Sequence, residues 1–466
     1  MGKLGLFTDK EFYKKLLKLG LPIALQQLLY SVFGVVDTAM IAQLGADSTA
    51  GVGAGTRWFF FLIVISLGLI AATTSLVSQY WGIKDFFNIR RATGMSLAFS
   101  MSIALIFTII TFSMTENMIN AFTDDPAMIS EGAAYLKILS LGFVVWAFNF
   151  VFSAALKATE CVRIPLFASI VSIIANVFLN WVFIFGNLGA PKMGVAGAAL
   201  GTVISFVLNM IIMIFAVIIK KHRIIKNIRH YFAWTKDFYK KFAKIMTPAL
   251  VNEILWVSGN MVYSVVLGRY GNTNYGAYTI FSNVEGMFFT FFIGLSSACS
   301  ILIGKELGRG EVEKGWNHAV KNMIIAPILA IVLGVILIVV RYPIMSLMMI
   351  PDQNMVDMSA KLLLYYAIAS PIRIIPFMTI VGIFRSGGDT MSGLWVDTLN
   401  VWFVGVPITL FVGFVLKAPF EYVFLAMFTE DIFKSIFCIR IFVKRKWLNQ
   451  LTKDSEVFTK GVKQVD

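Results

Sequence analysis

The chain has 466 residues, 58% of them hydrophobic and only 14% charged, whereas a water-soluble enzyme of this length carries about a quarter charged residues. Its net charge of +14 is gathered in a few short segments, so it marks membrane topology and excludes a nucleic-acid-binding surface. Three cysteines, Cys161, Cys299 and Cys438, show neither metal nor disulfide spacing.

Taken in chain order, apolar runs of the roughly 17–25 residues that span a bilayer recur throughout. Twelve are expected, at 16–42, 56–79, 93–113, 134–156, 165–186, 195–219, 246–269, 283–304, 321–340, 360–384, 391–416 and 422–443. This is an all-α, polytopic membrane protein. The first run is too long for a signal-peptide core and is read as a span. Nine Lys/Arg and one Asp lie between Lys220 and Lys244, and the N-terminal segment (Lys3, Lys10, Lys14, Lys15, Lys18) and the tail after Lys444 are basic too. The segment from Thr115 to Glu131 holds four acids and no Lys or Arg. The positive-inside rule then puts both termini and the 220–244 loop in the cytoplasm.

The second half repeats the first. At an offset of 226, Pro22 falls on Pro248, Gly45 on Gly271, Gly68 on Gly294, Ala72 on Ala298 and Gly82 on Gly308. Asp125 meets Asp352 at 227, and Lys157 meets Arg385 at 228. The expected organisation is an N-terminal six-helix lobe (1–219), a basic cytoplasmic linker (220–245), a pseudo-symmetric C-terminal six-helix lobe (246–447) and a cytoplasmic tail (448–466). Six is even, so both lobes start on one side and the repeat is parallel, a common plan of secondary transporters working by alternating access between lobes.

Polar residues inside the runs carry the functional expectation. Asp37 in the first run, Asn176 and Asn180 one turn apart in the fifth, and Thr202 in the sixth fall at similar depth. They are oxygen donors with one negative charge, which suits Na⁺ or a proton; the bland alternative is interhelical hydrogen bonding. In the second lobe Glu253, Arg373, Asp397 and Asp431, with Lys434, converge on the inner-to-middle membrane. Arg373 is the expected partner of Glu253, and helix unwinding is expected near Pro371 and Pro376. This cluster is read either as a folding salt-bridge network or as a site that exchanges partners with a proton, an ion or a cationic substrate. Lys157, Arg163, Arg385 and Asp389 read as helix-end anchors. Gln27, Asn252 and Trp256, on the first helices of the two lobes, are the expected substrate contacts, in a chain whose 42 Phe, 22 Met and 10 Trp suit flat organic cations.

From about Leu21 to Trp447 the chain resembles the multidrug and toxic compound extrusion (MATE) family. The resemblance rests on Pro22, Asp37, Leu44 and Gly45 in the first run, on FIFGNLGAPKMGVAGAALGTVIS, on FRSGGDT, and on VGVP from Val404 to Pro407. It implies export of organic, often cationic and aromatic compounds, driven by inward flow of Na⁺ or H⁺ as coupling ion, with no other cofactor. It also implies a cation site at the positions of Asp37, Asn176, Asn180 and Thr202. Asn180 departs from the pattern, because many members carry a second aspartate there. Trp256 and Ile374 stand where some branches carry second-lobe acids. The expected partners are small organic molecules and the lipid bilayer, with no nucleic acid, for a monomer in a bacterial inner (plasma) membrane. The alternative function is a lipid-linked oligosaccharide or lipid flippase of a related lobed fold, which would want an Arg-lined cavity. A membrane-embedded enzyme is not expected, since His222, His230 and His318 all sit in or beside cytoplasmic loops.

Overall fold

The structure, a computed structural model, describes residues 9–348, 352–455 and 457; Lys3 and the tail at 456 and 458–466 lie outside the described residues. These form sixteen α-helices and no strand. Inside a bilayer each backbone N–H and C=O must be satisfied within the chain, which a helix does by itself.

The first half contains α1 (Lys10–Ala42), α2 (Ala46–Gly82), α3 (Phe86–Ser113), the short α4 (Thr115–Asn120), α5 (Pro126–Ser140), α6 (Phe143–Ala158), α7 (Arg163–Phe185) and α8 (Val195–Ile219). The second contains α9 (Lys236–Gly268), α10 (Asn272–Gly308), α11 (Val312–Leu347), α12 (Gln353–Phe377), α13 (Thr390–Asn400), α14 (Val406–Leu410), α15 (Phe420–Met427) and α16 (Thr429–Val443). Ten helical runs among the described residues are long and apolar enough to cross a membrane, counting α13, α14 and the π-helical turns beside them as the one run Thr390–Val415, and α5 with α6, bent by 53°, would make an eleventh if the pair is one span. The twelfth expected run forms α15 and α16, of 8 and 15 residues, and carries Glu430, Asp431, Lys434 and Arg440.

The repeat is visible in local chemistry. Gly45 and Gly271, just before α2 and α10, have φ of 123° and 89°, a region open to glycine without strain. Asp125 and Asp352 cap α5 and α12 by accepting from the N–H of Ala127 and of Asn354. Asp389 caps α13 through the N–H of Ser392, as its reading as a helix-end anchor implies.

By packing, the described chain forms two compact units, one of residues 25–243 and one of the residues up to Ala24 with those from Lys244 onward. These limits differ from the sequence division in two places. The first turns of α1 pack with the later unit: Lys321 of α11 holds Asp9 at 2.6 Å, and a Cβ on Gly294 would fall 2.6 Å from the Gly20 carbonyl oxygen. The basic linker, in turn, folds onto α3. Buried Arg90 donates to the Arg223 carbonyl (3.0 Å) and meets Nδ1 of His230 (2.7 Å), and the Tyr231 backbone lies where Gly94 alone leaves room.

Within the earlier unit α2 packs on α3, α5 and α6, and α7 on α8; within the later one α11 packs on α10 and α12. Ile331, Val335 and Val339 of α11 are exposed, an apolar face whose solvent is lipid. The unwinding expected at Pro371 and Pro376 is absent. Helix α12 runs past both to Phe377 and then widens into π-helical turns over Met378–Phe384. A proline deletes one donor, and a shifted ladder re-satisfies the freed carbonyls without opening the helix.

Candidate functional site

In the earlier unit three helices bring the predicted polar residues into one hydrogen-bonded row. Asn176 and Asn180 of α7 and Thr202 of α8 are buried, and Asp37 of α1 is half-buried. Nδ2 of Asn180 donates to Oδ1 of Asp37 (2.6 Å) and to Oδ1 of Asn176 (3.0 Å). Nδ2 of Asn176 donates to Oγ1 of Thr202 (3.2 Å), which in turn donates to the Ala198 carbonyl (3.0 Å). The small residues of GVAGAALG let α8 come this close to α7. A Cβ at Gly197 would stand 2.5 Å from the Phe183 carbonyl oxygen, and one at Gly201 would stand 2.5 Å from Oδ1 of Asn180. Tyr135 of α5 lies within electrostatic reach of Asp37; the sequence reading missed it, since an aromatic in an apolar run carries no signal of its own.

The donor set fits a small hard cation. It offers the Asp37 carboxylate, the amide oxygens of Asn176 and Asn180 and the Thr202 hydroxyl, and hard cations take oxygen ligands. Oδ1 of Asn180 is buried and accepts no hydrogen bond, so one acceptor is free. A proton on Asp37 is the other occupant that neutralises the acid. Among the described residues no Lys or Arg pairs with Asp37.

The second-lobe charges are arranged differently from the expectation. Glu253 does not pair with Arg373; it accepts from Nη2 of Arg385 at 2.6 Å, the two side chains 12% and 10% exposed. Arg385 is therefore a buried ion-pair partner as well as a helix-end residue. Counting residues from a helix end gives depth but not direction around the axis, and two groups at one depth can face apart. Arg373 instead reaches Glu285 of α10 at 2.8 Å and Asp431 of α16 at 3.8 Å, beneath the rings of Tyr366 and Phe428. Lys434 makes a third knot, 2.7 Å from Asp397 and 2.8 Å from Glu430, and the Tyr263 hydroxyl donates to Oε2 of Glu430. Gly405 of VGVP opens the space for that last bond, since a Cβ there would collide with both oxygens.

Glu253, Arg373, Asp397 and Asp431 thus belong to three separate pairings. Glu285, Glu430 and Tyr263 were not singled out from the sequence, although an acid inside the apolar run FSNVEGMFF was the signal available for Glu285. Of the expected substrate contacts, Gln27 is half-buried and its side chain makes no hydrogen bond among the described residues. Asn252 is buried with Oδ1 unpartnered. Trp256, one turn further along α9, is 41% exposed. It is Gln26 that is tied down, by Ser169 (2.7 Å) and the Pro165 carbonyl (3.3 Å).

A helical bundle repeated in two halves, each with buried polar groups on long apolar helices, defines a polytopic membrane protein of the two-lobed carrier type. The chain belongs to the MatE family, whose model matches residues 22–182 and again 248–423, once in each half. It is 24% identical over 450 residues to a probable multidrug resistance protein NorM of Thermotoga maritima, covering 94% of this chain and 93% of that one. It is 23% identical over 402 residues to the multidrug resistance protein MdtK of Photorhabdus laumondii, covering 84% and 86%. A crystal structure of a Vibrio cholerae MATE transporter shares the fold with a TM-score of 0.85 at 17% identity, over 93% of this chain and 97% of that one.

Proposed function

We propose that the protein is a secondary antiporter that exports organic, often cationic and aromatic compounds in exchange for Na⁺ or H⁺ by alternating access. In this reading it acts as a monomer in a bacterial plasma membrane with both ends of the chain cytoplasmic. The observation that carries it is the unpaired acid of the first lobe. A carboxylate out of water needs a cation or a proton, and Asp37 has none of the protein's own cations beside it, whereas Glu253, Glu285, Asp397 and Glu430 each have an Arg or Lys within 2.8 Å. Asp37 therefore depends on an ion from solution, and a site that must load and unload is what coupling requires. Relatives named for multidrug resistance support the substrate class, as do the aromatic side chains that attract flat cations.

The test is ethidium movement in proteoliposomes with Na⁺ and pH gradients imposed separately. The wild type should accumulate dye under one of the two gradients, and Asp37→Asn should show at least tenfold less gradient-driven accumulation while inserting normally. Equal dye movement with every gradient collapsed would overturn the reading.

A further inference from the structure

The internal repeat exposes a charge that the second lobe satisfies and the first does not. Glu253 and Arg385 form a closed ion pair in the second lobe. Offsets of 226 and 228 carry these two positions to Gln27 and Lys157. The first lobe keeps the cation and replaces the acid with a neutral amide. Lys157, in the last turn of α6, is partly buried; its side chain makes no hydrogen bond or ion pair among the described residues and has no carboxylate in electrostatic reach. Glu160, three residues on, is engaged by Nε1 of Trp81 at 3.1 Å.

A second observation lies on the same face of α6. Ser153 and Asn149 stand one and two turns from Lys157, each only 9% exposed, and the Ser153 hydroxyl and the Asn149 Oδ1 have no hydrogen-bond partner. The Asn149 Nδ2 is already spent on the Phe206 carbonyl at 2.8 Å. Buried polar groups are nearly always bonded, and leaving one unbonded is costly. One helix stripe therefore carries an uncommitted ammonium and an uncommitted hydroxyl, with no acid facing it.

We propose that the first lobe holds an anion subsite on α6, where Lys157 ion-pairs with a carboxylate or phosphate group of a ligand and Ser153 donates a hydrogen bond to it. The proposal rests on the exporter reading and extends it from organic cations to aromatic acids, unless the oxyanion is that of a lipid headgroup. The second lobe has no such subsite, because Glu253 already occupies the guanidinium that corresponds to Lys157.

Rhodamine 19, which has a free benzoate, and rhodamine 6G, its ethyl ester, differ only in that carboxylate. Their binding to the full-length protein in phosphatidylcholine nanodiscs is read by fluorescence anisotropy. The wild type should prefer the acid over the ester by about tenfold, the worth of one charge-assisted hydrogen bond. Lys157→Met should erase the preference and Lys157→Arg should keep it. If neither dye form is preferred, but phosphatidylglycerol is retained by the wild type and not by Lys157→Met in native mass spectrometry, the oxyanion comes from lipid. Identical dye ratios and identical lipid retention in wild type and Lys157→Met would overturn the subsite. Failure of the wild type to move either dye under any gradient would instead sink the exporter reading, and leaves the binding comparison standing.

Discussion

Glu253 and Arg385 are both about nine-tenths buried and 2.6 Å apart, so neither regains water when the other is lost. Breaking a buried pair from one side costs about 3–5 kcal/mol, whereas removing both charges together is often neutral. Glu253→Gln and Arg385→Met should each lower the thermal unfolding midpoint in detergent, and the double variant should recover most of the loss. Additive losses would mean that the two side chains are not coupled. Glu253 was legible in the sequence as an acid that needed a cation, yet its partner was not. Arg373 and Arg385 are twelve residues apart on one stretch of chain, and only packing decides that Arg373 turns to Glu285 while Arg385 turns to Glu253. The first-lobe row was more legible because its members sit at a similar depth and two of them lie one turn apart, which fixes their shared face.

At the scale of elements, apolar length predicted most helices. What it did not show is where one helix changes its allegiance. Helix α1 reads as a single run, but its first turns pack in the later unit, where Lys321 of α11 holds Asp9 at 2.6 Å and the Phe12 N–H donates to the same carboxyl at 3.0 Å. Those two bonds, Lys321 first, keep the Asp9 carboxyl below its ordinary range. A carboxyl whose value is depressed in the folded state adds stability above its unfolded value, near 3.9, and loses it as pH falls through the folded value. The wild type should therefore unfold at higher temperature than Lys321→Met at neutral pH, with the gap narrowing below about pH 4. Taking the difference between the two proteins cancels the other carboxyls. A gap that stays constant down to pH 3 would mean that Lys321 acts by packing on Phe12, whose ring lies 5.2 Å from its ammonium.

For the molecule as a whole, the repeat puts a hydroxyl of the second lobe where the first lobe has its acid. An offset of 226 carries Asp37 to Tyr263, which donates to Glu430. In the first lobe the leading helix brings the acid; in the second the same position brings a hydroxyl, and the acid comes from α16. The difference that matters is Lys434, whose ammonium lies between Asp397 and Glu430 at 2.7 and 2.8 Å. The second lobe carries its counter-ion on a tether, while in the proposed antiporter Asp37 would take one from solution. Vacating the tether should turn the second lobe into an ion-dependent site. In an Asp37→Asn background, which removes the first-lobe acid, Lys434→Met leaves two buried acids uncompensated and should be destabilised at neutral pH without Na⁺. Replacing choline chloride by NaCl at equal ionic strength, or lowering the pH, should raise its unfolding temperature by several degrees, because each supplies the missing positive charge. Asp37→Asn alone should show no such rise with either. A double variant indifferent to both Na⁺ and pH would show that Asp397 and Glu430 are held by Tyr263 and their helix backbone, and that the tethered ammonium is not what keeps the second lobe out of ion exchange.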